Sequence, residues 1–274
     1  MKNRIIDAAH LKKYFLALID KQYKEQIYQE FIENNTALVP REFIQNHGVY
    51  FDLVFRKLSL ANDYATDFFY ISKSSGDFNC VLIEIEKPQS KYFKHASNDF
   101  HPDFHAALDQ INRWRAWFSN SSNLDGFING TISPVKPEVM GQSLPHIKYV
   151  LVHGRRTEFE DNENKRRLIT ARETDDFHIL SYDSLVESLH SKEELYLAIR
   201  KNEYIEILSS TFISEDLFAS IPPSYIKITD ELRKSILDNK KSWYHYSTSP
   251  DSTSPGQFRL TLEGVLPKIG VIHV

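Results

Sequence analysis

The first third of the chain carries one helical pattern followed by three strand patterns. Apolar residues recur at helical spacing from Leu11 to Phe31, with Lys, Glu and Gln between them, which predicts an amphipathic helix over residues 11–34. Three runs rich in aromatic and β-branched residues then predict strands over residues 49–56, 66–73 and 79–86. Turn residues separate the last two runs, so these should form an antiparallel hairpin.

The middle of the chain alternates helical and strand patterns. Pro102 to Phe118 predicts a helix with one apolar stripe, and residues 147–152 and 178–180 predict strands. Asp183 is predicted to cap the N-terminus of a helix that begins near Ser184. This alternation predicts an α/β domain over residues 1–190, with a mixed sheet flanked by helices.

Residues 191–274 read as a C-terminal extension that is mostly helical. The pattern from Glu193 to Leu208 favours a helix. A polar stretch near residues 246–257 is rich in Ser, Thr and Pro and has no periodicity, which predicts a loop. No internal repeat is apparent, so a solenoid is not expected.

Three carboxylates converge if the hairpin is symmetric about its turn. The numbers of opposed residues then add up to 151, which places Asp67 opposite Glu84. Glu86 lies two residues beyond Glu84 and shares its face of the sheet. Like charges in one place are unfavourable unless a cation neutralises them, and oxygen ligands favour Mg²⁺ or Mn²⁺. The alternative is that these residues form ordinary surface ion pairs.

Composition and charge limit the function classes only broadly. The net charge of -4 does not favour nonspecific coating of nucleic acid, although a local basic groove is compatible with it. The single cysteine, Cys80, lies in an apolar run and fits a reducing, cytoplasmic compartment. No apolar stretch is long enough to span a bilayer, so no membrane association is expected.

Other catalytic patterns are weak or absent. His101 and His105 have a spacing that zinc enzymes use, but helix capping and surface hydrogen bonding explain them more simply. The chain has no glycine-rich phosphate loop and no Gly-x-Ser-x-Gly nucleophile turn.

The carboxylate motif has a wider resemblance. Asp67 followed by Glu84-Ile85-Glu86 is similar to the PD-(D/E)xK nuclease signature in the variant where Glu replaces the lysine. Together with the helix carrying Ala107-Leu-Asp-Gln-Ile-Asn-Arg-Trp114 and the later strand Tyr149-Val-Leu-Val-His-Gly-Arg155, it resembles the nuclease domain of the Shedu family of bacterial anti-phage defence proteins. The resemblance covers residues 25–190 and implies a restriction-endonuclease-like fold.

The resemblance also implies site residues. Asp67 and Glu84 would be metal ligands, and Glu86 stands where the family usually has lysine. Glu86 would be a third ligand or a base, while the neighbouring Lys87 could supply the missing positive charge. Gln110 on the later helix would support the site. An acidic residue on the first helix commonly completes such sites, and both Glu25 and Glu30 qualify, with Glu25 slightly preferred.

The implied substrate is double-stranded DNA, cut by hydrolysis with Mg²⁺ or Mn²⁺. Basic residues expected to contact it, some of them interleaved with acids that could instead pair with them, are Arg113, Arg155, Arg156, Arg166 and Arg167. The resemblance further implies a homo-oligomer and a phage-derived trigger. A catalytically silent domain that binds DNA or a phage protein is the rival hypothesis, because Glu86 replaces the usual lysine.

Overall fold

The computed structural model describes residues 7–137, 145–208, 217, 221–238 and 270–272. The polar loop predicted near residues 246–257 lies outside this part. The helices are α1 (Ala8–Ile19), α2 (Glu25–Asn34), α3 (Pro102–Phe118), α4 (Ser121–Gly126), α5 (Glu163–Thr170) and α6 (Asp230–Asp238). No helix in the described ranges is both long and apolar enough to cross a membrane.

The described strands form one large sheet and one small one. The strands are β1 (Val49–Arg56), β2 (Ser59–Leu60), β3 (Tyr64–Ala65), β4 (Phe68–Lys73), β5 (Phe78–Ile85), β6 (His146–Val152), β7 (Phe177–Leu180), β8 (Tyr196–Arg200), β9 (Ile205–Ile207), β10 (Ile226–Thr229) and β11 (Gly270–Ile272). Nine of them form a sheet in the order β11-β10-β9-β8-β1-β4-β5-β6-β7, while β2 pairs with β3. The predicted mixed sheet flanked by helices is confirmed.

Strand direction brings several strand ends to one edge of this sheet. β1 is parallel to β8 and antiparallel to β4, and β4 is antiparallel to β5. β5, β6 and β7 are mutually parallel. The carboxyl ends of β8, β1, β5, β6 and β7 therefore lie at the same edge, which we call the carboxyl edge, and β4 begins there.

Each face of the sheet is covered by a separate set of helices. Cys80 and Leu82 of β5 pack in the cluster that contains Phe104 and Trp114 of α3. The alternate residues Val81 and Ile83 pack in a second cluster, which contains Phe15 of α1 and Tyr28 of α2. Burial of both faces explains why β5 reads as a nearly continuous apolar run.

The predicted helix over residues 11–34 is wrong in one respect, because it is two helices. Residues 20–24 interrupt it, and α2 begins at Glu25. The two helices bury different stripes, with Phe15 and Ile19 inward in α1 and Tyr28 and Ile32 inward in α2. A single periodicity over the whole segment hides this change of phase.

The predicted capping role of Asp183 is also wrong. Asp183 lies inside a short 3-10 helix, Tyr182–Val186, whose N-cap is Ser181. Its carboxylate accepts hydrogen bonds from the Arg155 side chain and from the backbone N–H of Arg156 at 2.8 Å. The Asp183 carboxylate thus binds an arginine distant in sequence and does not cap a helix.

The predicted helix from Glu193 to Leu208 is wrong, because this segment forms β8 and β9. β8 pairs with β1 in parallel, and β9 continues the sheet beside β8. The apolar run at the start of β8 is short and continuous, and such a run does not distinguish a buried strand from a helix. The division of the chain near residue 190 stays a prediction.

Candidate active site

The predicted hairpin register places an aspartate and two glutamates at the carboxyl edge. Phe68 lies opposite Ile83 and Lys73 opposite Phe78, so the predicted register is confirmed along β4 and β5. Asp67 precedes β4 by one residue, and its backbone N–H donates to the Ile83 carbonyl at 3.1 Å. The hairpin thus delivers Asp67 to the end of β5, beside Glu84.

Asp67 is the most buried carboxylate of the site, with 6% of the residue exposed. Its Oδ2 accepts a hydrogen bond from the Ile85 backbone N–H at 2.7 Å, and its Oδ1 accepts one from Gln29 Nε2 at 2.9 Å. Oδ1 also forms an ion pair with the Lys57 ammonium group. Burial raises the pKa of Asp67, whereas the Lys57 charge and these hydrogen bonds lower it.

Lys57 is a site residue that the sequence analysis did not identify. It directly follows β1, and its backbone adopts a φ of +48°, which is unusual for a side chain other than glycine. Its backbone N–H donates to the Asp67 carbonyl oxygen at 3.0 Å, so Lys57 contacts Asp67 through both backbone and side chain. The only sequence signal was a cation at the end of a strand next to the hairpin.

Gln29 on α2 joins a second acid to the site. Its Nε2 donates to Asp67 and also to Glu25 Oε1 at 3.0 Å. Gln29 is 5% exposed, while Glu30 is exposed to solvent. Of the two acids considered for the first helix, the fold therefore brings Glu25 to the site.

The pKa values of Glu84 and Glu86 lie well above the ordinary range of a glutamate. Burial, together with the charges of Asp67 and Glu86, raises the pKa of Glu84 to about 9. Burial, together with Glu25 and Asp67, raises the pKa of Glu86 to about 7. Among the described residues, neither carboxylate forms a hydrogen bond or an ion pair. Both are therefore available to a ligand.

The backbone of Glu86 is held from two sides. Its N–H donates to the Val152 carbonyl of β6 at 2.9 Å. The buried Tyr182 donates its hydroxyl to the Glu86 carbonyl oxygen at 2.5 Å. These bonds fix Glu86 just beyond the end of β5, although it is no longer part of that strand.

The chemistry of this cluster suits a divalent cation. Glu25, Asp67, Glu84 and Glu86 offer only oxygen ligands, and the charges of Glu25, Asp67 and Glu86 each raise the pKa of at least one other member. A bound cation would relieve that repulsion. The side chains are not arranged for ligation, since no three Asp, Glu, His or Cys residues in the described ranges have metal-binding geometry. Asp67 would have to exchange its Oδ1 partners, Lys57 and Gln29, for the ion.

Two other residues implied by the resemblance have different surroundings. Lys87 is exposed, and its charge lowers the pKa of Glu25 and Glu86, so it lies close to the cluster. Gln110 of α3 accepts hydrogen bonds from Arg113. In the described part of the chain, Gln110 contacts none of the four carboxylates, and its supporting role stays a prediction.

The arginines expected to contact DNA have partners within the protein. Arg155 pairs with Asp183 and Asp20, and Arg156 pairs with Glu187. Arg167 pairs with Glu163 one turn earlier on α5, Arg166 donates to the Glu160 carbonyl oxygen, and Arg113 donates to Gln110. Acids within the protein therefore neutralise Arg155, Arg156 and Arg167, and of these three only Arg167 uses an acid of the interleaved segment.

Fold and site together define an α/β protein with a carboxylate cluster at the carboxyl edge of a mixed sheet. A family model described as the C-terminal part of the Shedu protein SduA matches residues 22–186. The chain thus belongs to the Shedu family, a defence-related nuclease family. The matched region includes all four carboxylates and Lys57. The comparison with curated proteins returns no match.

Proposed function

We propose that this protein is a divalent-metal-dependent DNA endonuclease that acts in anti-phage defence. The observation that supports this most directly is the convergence of Glu25, Asp67, Glu84 and Glu86 at one sheet edge, with two carboxylates lacking any partner among the described residues. Carboxylates whose pKa values are shifted by burial and by neighbouring charges are common at catalytic sites. Membership of the Shedu family supports the same reaction class.

Asp67 and Glu84 would hold Mg²⁺ or Mn²⁺, with Glu86 and Glu25 as further oxygen ligands. When bound, such an ion supplies an activated water and stabilises charge on the phosphate. Without metal, burial and neighbouring charges raise the pKa of Glu86 to about 7, so a Glu86 that does not bind the ion can accept a proton near neutral pH. Lys57 supplies the positive charge that Glu86 does not provide. Gln29 holds Glu25 and Asp67 together.

The resemblance to the Shedu family also supports proposals about the substrate, the oligomeric state and the cellular compartment. Double-stranded DNA is the proposed substrate. The protein is further proposed to be a cytoplasmic homo-oligomer that responds to a phage-derived trigger.

A catalytically silent, DNA-binding domain is the second candidate. The observation that favours it is the saturation of Asp67, whose two oxygens are already bonded to Lys57, Gln29 and the Ile85 N–H. The presence of Glu86 in place of the usual lysine points the same way.

Plasmid cleavage separates the two functions. Purified protein is incubated with supercoiled plasmid and Mg²⁺ or Mn²⁺, beside Asp67→Asn, Glu84→Gln and the control Glu30→Gln, which alters an exposed acid of α2. The proposal expects metal-dependent nicking that falls by about 100-fold or more in the first two variants and persists in the control. DNA binding without cleavage in any metal would support the silent domain.

A further inference from the structure

A cavity of about 620 Å³ opens beside the carboxylate cluster, between the ends of β1 and β8. The charged and aromatic residues of its lining are Arg56, Lys57, Arg200, Lys201, Glu203 and Tyr204. Four of these carry positive charge and one carries negative charge. The cavity therefore favours an anion.

The cations at this cavity differ in how far they are already neutralised. Arg56 pairs with Glu33 at 2.6 Å, and Lys57 pairs with Asp67. Arg200 donates only to backbone carbonyl oxygens, those of Thr131 at 3.0 Å and Tyr204 at 3.2 Å among them. In the described ranges, no carboxylate pairs with Arg200 or Lys201.

The charge of Arg200 is partly buried and has no carboxylate partner among the described residues. Burial lowers the pKa of its guanidinium group, which means that the charged form is partly desolvated without a carboxylate to compensate. The ammonium group of Lys227 lies 3.8 Å from the centre of the Tyr204 ring and adds another cation behind the cavity wall. Arg200, Lys201 and Lys227 therefore place positive charge on the side of the sheet formed by β8, β9 and β10.

Topology connects this cavity to the cluster. β8, β1, β4 and β5 are consecutive in the sheet, and Arg200, Lys57, Asp67 and Glu84 lie at or near the ends of these four strands at the carboxyl edge. Three strand spacings of about 4.8 Å separate the first from the last, or about 14 Å. That length exceeds a single nucleotide step, so the cavity and the cluster would contact different phosphates of one strand.

We propose that the Arg200–Lys201 cavity binds the phosphate backbone of duplex DNA and holds the strand whose scissile phosphate reaches the carboxylate cluster. The proposal rests on DNA being the substrate. A mononucleotide is too short to occupy both the cavity and the cluster, so an extended polyanion fits the spacing better. Contacts to phosphates carry no sequence information, so binding through this cavity is independent of sequence.

Direct binding measurements test this surface separately from cleavage. Fluorescence anisotropy is recorded with the full chain and a labelled duplex in EDTA, at several salt concentrations. The test variants are Lys201→Glu, which alters an exposed side chain, and Arg200→Gln; the control is Lys12→Glu, which reverses an exposed charge on α1. Thermal melting checks that each variant folds. If Arg200→Gln does not fold, Lys201→Glu alone tests the proposal.

The expected result has three parts. Lys201→Glu weakens binding by about 10-fold and lowers the slope of log Kd against log salt by about 1, equally for two unrelated duplex sequences. Glu203→Gln, which removes the acid of the cavity lining, tightens binding by about 2-fold. The control Lys12→Glu changes Kd by less than about 2-fold because its side chain lies outside the cavity lining.

Other outcomes overturn the proposal. If Lys201→Glu and the control weaken binding equally, or neither does, the cavity is not the DNA surface. If inorganic phosphate or a mononucleotide displaces the duplex at matched ionic strength, the cavity holds a small anion instead. DNA binding that depends on the cavity, without cleavage in any metal, would support this DNA surface and refute the proposed nuclease activity. Cleavage that requires Asp67 but is unchanged in Lys201→Glu and Arg200→Gln would support the nuclease and refute this DNA surface.

Discussion

The Lys57 ammonium group and the Asp67 carboxylate form an ion pair that joins the end of β1 to the start of β4. Lys57 reaches this position through a left-handed backbone conformation, with φ of +48°. Strained backbone of this kind persists only where surrounding contacts impose it, and it is common at functional sites. The ion pair places a lysine beside the first carboxylate of a motif whose own lysine position is occupied by Glu86.

Substituting Lys57 tests whether it replaces the motif lysine. Lys57→Ala should lower the plasmid-cleavage rate by about 100-fold, because a preorganised positive charge at the site is lost. Lys57→Arg should recover only part of the rate, since a guanidinium group differs from an ammonium group in shape and hydration. Lys87→Ala is the matched comparison and should lose far less activity. A larger loss in Lys87→Ala would assign the role to Lys87.

The acidity of Glu84 predicts how stability depends on pH without metal. The pKa of Glu84 rises from an ordinary 4.5 to about 9 on folding. The unfolded chain thus loses this proton at lower pH than the folded chain, so stability falls as pH rises between these two values. In EDTA, the Tm of the wild type should decrease from about pH 7 to about pH 9, and Mg²⁺ should restore it.

Glu84→Gln should remove this dependence. Its Tm in EDTA should exceed that of the wild type by about 3 °C or more at the alkaline end, because the Glu84 carboxylate that ionises there in the wild type is absent. Glu30→Gln changes an exposed acid and should follow the wild-type profile. Differential scanning fluorimetry measures all three proteins. Parallel profiles for wild type and Glu84→Gln would contradict a raised pKa of Glu84.

Gln29 should matter for stability because it is buried and bridges two acids. Gln29→Leu leaves Glu25 and Asp67 without their shared donor, which should lower the free energy of unfolding by about 1–3 kcal/mol. Gln26→Leu, at an exposed position of the same helix, should cost less than about 0.5 kcal/mol. Urea denaturation measures both. Equal losses would show that the bridge contributes little.

Arg155 should be a structural residue and not a DNA contact. It pairs with Asp183 at 2.9 Å and with Asp20 at 2.7 Å, and 22% of its side chain is exposed. Arg155→Ala should lower the free energy of unfolding by about 1–3 kcal/mol, because it leaves the half-buried Asp183 unpaired. DNA affinity should change by less than about 2-fold, since no phosphate contact is removed. A strong loss of DNA affinity in a folded Arg155→Ala variant would show that Arg155 contacts DNA.

Local patterns were sufficient to predict the hairpin and α3. Turn residues fixed the pairing of β4 with β5, and this register brought Asp67 to Glu84. The apolar stripe of α3 was predicted correctly, with Phe104 and Trp114 buried. Both elements depend on contacts close in sequence.

The remaining parts of the site depend on contacts between distant segments. Gln29 lies 38 residues before Asp67 and Lys57 lies 10 residues before it, and no spacing rule connects either residue to the carboxylates. The helical interpretation of residues 193–208 failed for a related reason, because β8 gains its place in the sheet by pairing with β1. A short apolar run carries no information about such a partner.

Mn²⁺ binding is the most direct test that the carboxylate cluster is a metal centre. Electron paramagnetic resonance counts the Mn²⁺ ions held by the wild type, Asp67→Asn, Glu84→Gln and Glu30→Gln. We predict that the wild type and Glu30→Gln bind one or two ions, and that the affinity falls by about 10-fold or more in the other two variants. Equal Mn²⁺ affinity in all four proteins, or none in the wild type with DNA present, would contradict a metal centre at Asp67 and Glu84.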